Sequence, residues 1–125
     1  MADQLIQITN ERIQQLIALK AKLPKGKQPT GRLRVITNHD RSQYYLVDKG
    51  SSSNGKYLPR KERRRAAAIA QRDYNAAVAS IIGRQIIALN NLTENYHPEE
   101  IDTAFTGLHP GRRPLVTPVR EPDED

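Results

Sequence analysis

Apolar residues along the first twenty-odd positions recur at helical steps. Leu5, Ile6, Ile13, Leu16, Ile17 and Leu23 fall three, four or seven apart, with Glu11, Arg12, Gln14 and Gln15 between them. This pattern predicts a helix over residues 2–23, opened by Asp3 at the positive end of its dipole and stopped by Pro24. PKGKQPTG (24–31) holds two prolines and two glycines and reads as a linker. The period then changes from helical to two. RLRVIT (32–37) puts Arg32 and Arg34 on one face and Leu33 and Val35 on the other, NHDRS is a turn, and QYYLVD (43–48) is a second strand. The loop KGSSSNG (49–55) ends in an Asn-Gly turn signal, and KYL (56–58) supplies a short third strand.

The longest periodic stretch, PRKERRRAAAIAQRDYNAAVASIIGRQIIALNNLTENY, has no interior proline and one glycine, Gly83. It predicts a helix over about residues 60–95, with Pro59 at or before its first turn. Rotation by 100° per residue collects Ala67, Ala70, Tyr74, Ala77, Val78 and Ile81 into one apolar band. Ala88, Leu89 and Leu92 extend the band, Ile82 lies at its edge, and Ile86 and Ile87 lie outside it. Pro98-Glu99-Glu100-Ile101-Asp102 starts a short helix over about 98–106. Four prolines and an acidic finish make 107–125 an extended tail. The expected fold is α+β and mostly helical. A first helix, a small antiparallel hairpin or three-stranded sheet and a long helix antiparallel to the first form one elongated module over 1–106, and the short helix closes it.

Composition narrows the function classes. Hydrophobic residues make up 37% and aromatics 5% of the 125-residue chain, which allows one domain with a thin core. No run of eighteen apolar residues is present, and the amino end lacks the layout of a secretory signal, so the cytoplasm is the expected compartment. The net charge of +6 conceals a segregation. Between Lys20 and Arg72 stand 15 Lys or Arg against Asp40, Asp48 and Glu62, a net of +12, whereas residues 73–125 carry −5.

The basic stretch is the candidate site. On the helix start it offers Arg60, Lys61, Arg64, Arg65 and Arg72; on the hairpin, Arg32 and Arg34; in the linker, Lys25 and Lys27. Such a footprint suits a polyanionic backbone, whose phosphates release counterions when neutralised. Tyr44, Tyr45 and Tyr57 lie in the same region and offer faces on which unpaired bases stack. The plainer reading is a solvated helix face with tyrosines packed in the core. Tyr44 and Tyr45 point to opposite sides of a strand, so at most one of them is core.

His39, His97 and His109 lack metal-ligand spacing, cysteine is absent, and Glu99, Glu100 and Asp102 most simply complement a helix start. No phosphate-cradling glycine loop or dinucleotide fingerprint occurs. No cofactor or metal is expected, and no catalytic constellation is visible.

The segments GRLRV (31–35), YYLVD (44–48), NGKYLPRKE (54–62) and AQRDY (70–74) together carry a resemblance. With HPEEID (97–102) and PLVTP (114–118), they resemble the amino-terminal α–hairpin–α region of uncharacterised bacterial proteins common in anaerobic gut species. The later part of those proteins looks like a PD-(D/E)XK nuclease. That nuclease signature needs a Glu or Asp two residues before a Lys, and no such triplet occurs here. The resemblance therefore implies an accessory module with no catalytic residue to carry over. A hairpin followed by a basic helix is also similar to the small DNA-binding modules at the front of phage-type integrases, whose strands enter a groove.

The expected function is a non-catalytic nucleic-acid-binding module, for DNA or RNA, gripping phosphates with its hairpin and helix start. The competing expectation is a protein-interaction or oligomerisation module. In it, Ile13, Leu16 and Ile17 on the first helix and Ile82, Ile86 and Leu89 on the long one pair between copies or with a second domain. An enzyme in its own right is the third and least supported.

Overall fold

The computed structural model describes residues 3–50 and 54–121. Its elements are α1 (Gln4–Ala21), β1 (Arg32–Asn38), β2 (Arg41–Val47), β3 (Lys56–Leu58), α2 (Arg63–Asn95) and α3 (Glu100–Thr106). Single 3-10 turns occupy Arg60–Glu62 and Arg113–Leu115. The α+β architecture is the one expected, with a three-stranded antiparallel sheet between two helices in sequence. Ala2 and Ser51–Ser53, expected in the first helix and the flexible loop, lie outside the described residues, as does the acidic end 122–125. The contacts group the chain into two compact units, Gln15–Gln85 and a second formed by the residues before Gln15 and after Gln85.

In the first unit the sheet has the order β1-β2-β3. β1 and β2 pair from Arg32↔Val47 to Asn38↔Arg41, leaving a two-residue turn at His39-Asp40. Both turn residues have positive φ, 51° and 66°, the geometry whose twist matches paired strands. β2 therefore begins at Arg41, two residues earlier than the turn signals predict, because two positive-φ residues suffice to reverse the chain. β3 pairs with β2 through Tyr44↔Leu58, Tyr45↔Tyr57 and Leu46↔Lys56.

Alternation sends Leu33, Tyr44, Leu46 and Leu58 to one face, which α2 covers. Leu46, Leu58, Ala66 and Ile69 form the buried cluster, with Leu33 and Tyr44 packed at its edge. Ile69 is fully buried. Gly55 lets β3 approach β2. Its φ is +86°, and a Cβ there would lie 2.9 Å from the Leu46 carbonyl oxygen.

As far as Ile82, most of the expected apolar band of α2 lies about one residue away from the face that is buried. Ala66, Ile69 and Ile82 are buried, with Arg72, Asn75 and Ala79 half-buried between them. Ala67, Ala70 and Ala77 are exposed, and Tyr74 and Ile81 are 63% and 42% exposed. Val78, Leu89 and Leu92 are half-buried, and Ile86 joins them although it falls outside the expected band. The cause is the composition of α2, whose alanines form two stripes side by side. Ile69 selects between them because it is the bulkiest side chain that can reach Leu46 and Leu58.

In the second unit Asp3 caps α1, its Oδ1 accepting from the Leu5 amide at 2.8 Å. Thr9 is buried and donates its hydroxyl to the Leu5 carbonyl at 2.6 Å, and Ile13, one helical turn further on, is buried too. The stretch after α3 departs from the extended tail expected. Arg113 donates to the Leu108 carbonyl at 3.1 Å, and the Arg120 guanidinium meets Asp102 at 3.0 Å and the Pro98 carbonyl at 3.1 Å. Arginines reaching back to carbonyls and a carboxylate thus fold the described part of the tail onto α3.

Three substitutions test this packing. Ile69→Ala should lower unfolding free energy by about 2–5 kcal/mol in urea denaturation, the usual cost of emptying a fully buried aliphatic site. Gly55→Ala, strained in φ and pressed against backbone, should cost about 1–3 kcal/mol, whereas Gly83→Ala, with open space around it, should not destabilise.

Candidate nucleic-acid interface

The sheet face turned away from α2 is built by the parity that makes the core. With Leu46 and Leu58 inward, Arg32, Arg34, Ile36, Arg41, Gln43, Tyr45, Val47 and Tyr57 must face outward. No strand residue is acidic. Register sets Arg34, Tyr45 and Tyr57 in one row across all three strands.

Within that row the side chains order each other. The Arg34 guanidinium lies over the Tyr45 ring, 5.2 Å from its centroid, and Nη1 donates to the Asn54 carbonyl at 2.9 Å. Tyr45 and Tyr57 meet edge to face at 5.6 Å, and the Tyr45 hydroxyl donates to Gln43 Oε1 at 3.3 Å. A stacked, hydrogen-bonded guanidinium has lost much of its rotamer freedom already and keeps its Nε and Nη2 donors for an anion or base edge. Arg32 and Arg41 flank the row, both exposed. The stacking also changes what Tyr45 offers, because one face of its ring is covered. Tyr57, 49% exposed, is the freer of the two.

The other expected residues lie elsewhere. Tyr44 is on the core side of the sheet, half-buried, with the Arg63 guanidinium 4.8 Å above its ring. Arg72 is not on an open cationic face. It lies on the buried side of α2, where Nη1 donates to the Pro29 carbonyl at 2.8 Å and Nη2 meets Asp73 at 2.8 Å. Arg60, Lys61, Arg64 and Arg65 are exposed. Arg65 is brought to Lys27, with which it lines a concavity, whereas Lys25 lies beside Leu23 and Ala79 at the end of α1. Arg63 and Arg72 thus find their partners away from the outward row of the sheet.

Sequence reading missed Arg41 and Arg63. The signal for Arg41 was present, since it shares parity with Gln43 and Tyr45 once the turn is shortened to two residues. Arg63 carried none, because its partner is set by the tertiary packing of α2 on Tyr44. Of the stripe residues expected to pair between copies, Ile13, Leu16 and Ile82 are buried within the single chain and are taken.

No family model matches the chain, and neither a curated protein nor a solved structure matches it. Among the described residues, no helix is long and apolar enough to cross a membrane.

The ordering of Arg34 by Tyr45 is directly measurable. In Tyr45→Leu the Arg34 Nε–H resonance should lose its ring-current displacement and broaden, while the Leu46 and Leu58 methyl resonances keep their positions. An unchanged Arg34 signal would show that the stacking does not hold in solution.

Proposed function

We propose that this chain is a nucleic-acid-binding module that grips the phosphate backbone with the outer face of its sheet, largely independently of sequence. One observation carries the reading. The face is cationic and aromatic, with Arg32, Arg34 and Arg41 on the same side as Tyr45 and Tyr57, and among the described residues no strand position carries a carboxylate. Phosphate binding needs guanidinium groups with donors to spare, and the aromatic row stiffens one of them. The covered ring of Tyr45 leaves Tyr57 as the residue for base stacking, so backbone contact outweighs stacking in this reading.

The module assigns no catalytic step to itself. In line with the nuclease-like resemblance, it serves as an accessory that holds the polynucleotide for chemistry located elsewhere. The missing Glu-x-Lys or Asp-x-Lys triplet supports that division.

Fluorescence anisotropy with a labelled duplex and a labelled single strand across a salt series tests the proposal. Each phosphate contact contributes about 0.9 to the slope of log affinity against log salt on duplex DNA. Arg32→Gln, Arg34→Gln and Arg41→Gln together should therefore lower the slope by about 2–3. A salt-independent response, or an unchanged slope in the triple variant, is incompatible with the reading.

One observation favours a second reading, self-association. The exposed stripe Ala67, Ala70, Tyr74, Ala77 and Ile81 offers small residues for close helix approach and two large ones to bury. If copies pair there, light scattering should show a dimer that Tyr74→Glu with Ile81→Glu returns to monomer. A monomer at all concentrations removes this reading.

A further inference from the structure

The linker between α1 and β1 is tied to α2. Arg72 holds the Pro29 carbonyl through Nη1, and its own guanidinium is braced on Asp73 through Nε at 3.0 Å and Nη2 at 2.8 Å. With Pro29 pinned, Lys27, Gln28, Pro29, Thr30 and Arg65 line a concavity of about 470 Å³. Its lining supplies an ammonium, a guanidinium, an amide and a hydroxyl, and no carboxylate. No described ion pair occupies Lys27 or Arg65. The donors are those that phosphate oxygens accept from.

Resting on the nucleic-acid reading above, we infer that this concavity is a second phosphate subsite, separate from the sheet face, which takes one or two backbone phosphates of the same polynucleotide. The connection between the two is covalent and short. Thr30 and Gly31 lead directly into Arg32, and β1 is an edge strand. A backbone that passes over the β1 edge meets Arg32 and Arg34 on the outer face and then Thr30, Lys27 and Arg65 beside α2. Arg72 acts here as a positioning residue. It touches no ligand, and its hold on Pro29 brings Lys27 to Arg65.

Lys27→Gln with Arg65→Gln is the test, both positions being exposed so that the fold is retained. In the salt series this pair should lower the slope by about 1–2 and weaken binding evenly across sequences. A parallel titration with inorganic pyrophosphate, followed at the Gln28 and Thr30 amides and the Arg65 Nε–H, should give saturable shifts that the double variant abolishes. An unchanged slope while the sheet variant still loses affinity overturns the subsite and leaves the sheet reading standing. Pyrophosphate shifts at these residues with no polynucleotide binding by the intact chain support the phosphate chemistry and overturn the nucleic-acid reading. Absence of both responses overturns the subsite outright.

Discussion

The packing of Leu46 and Leu58 onto Ala66 and Ile69 is the contact on which the first unit depends. It is a small core, and each large aliphatic in it contributes about 1.5–3 kcal/mol by leaving water. Its larger effect is geometric. Strand side chains alternate with a period of two, so fixing two leucines inward fixes every other strand residue outward. A slip of one residue would bury Tyr45 and Tyr57 and expose the leucines. The cationic aromatic face is thus the obligatory reverse side of the core.

That coupling explains how so thin a sheet can hold a rigid outer row. A three-residue third strand adds few ladder bonds, and an isolated hairpin is marginal in water. Here the helix stabilises one face, while on the other the Arg34–Tyr45–Tyr57 row links all three strands through a cation–π contact and an edge-to-face pair. Cross-strand contacts of this kind contribute about 0.2–1 kcal/mol each. The same interactions that would order a ligand-binding arginine therefore also help to keep β3 in register.

The strands were legible in the sequence because their period is short and their chemistry alternates. Leu33 against Arg34 declares its face within two residues, whereas of Tyr44 and Tyr45 the sequence says only that they part. The third strand was readable from Gly55 followed by Lys-Tyr-Leu. The phase of the first half of α2 was not. Ala67, Ala70 and Ala77 weigh almost as much as Ala66 and Ile69 in any angular sum, and only the position of the sheet decides between them. Arg41 was hidden by a turn read as longer than it is, since His39 and Asp40 carry positive φ without a glycine to announce it. The fold past α3 was hidden for a different reason. Proline-rich composition signals extended chain, and contacts such as Arg120 with Asp102 join residues eighteen positions apart.

Arg72 shows why counting charge over a segment differs from locating it. It belongs to the +12 stretch by sequence, yet it lies three residues from Ile69, on the same buried stripe. A guanidinium there must find partners or lose its hydration, and it finds a carbonyl from the linker and the carboxylate of its neighbour. One cation is thereby withdrawn from the surface, and in exchange the linker is fixed against the helix with Lys27 and Arg65 left open. Segregated charge in a sequence thus resolves into cations that build the scaffold and cations that the scaffold presents. Arg72 spends its Nε, Nη1 and Nη2 donors on Asp73 and the linker, whereas Arg34, held by the Asn54 carbonyl through Nη1 alone, keeps Nε and Nη2 for an anion from outside.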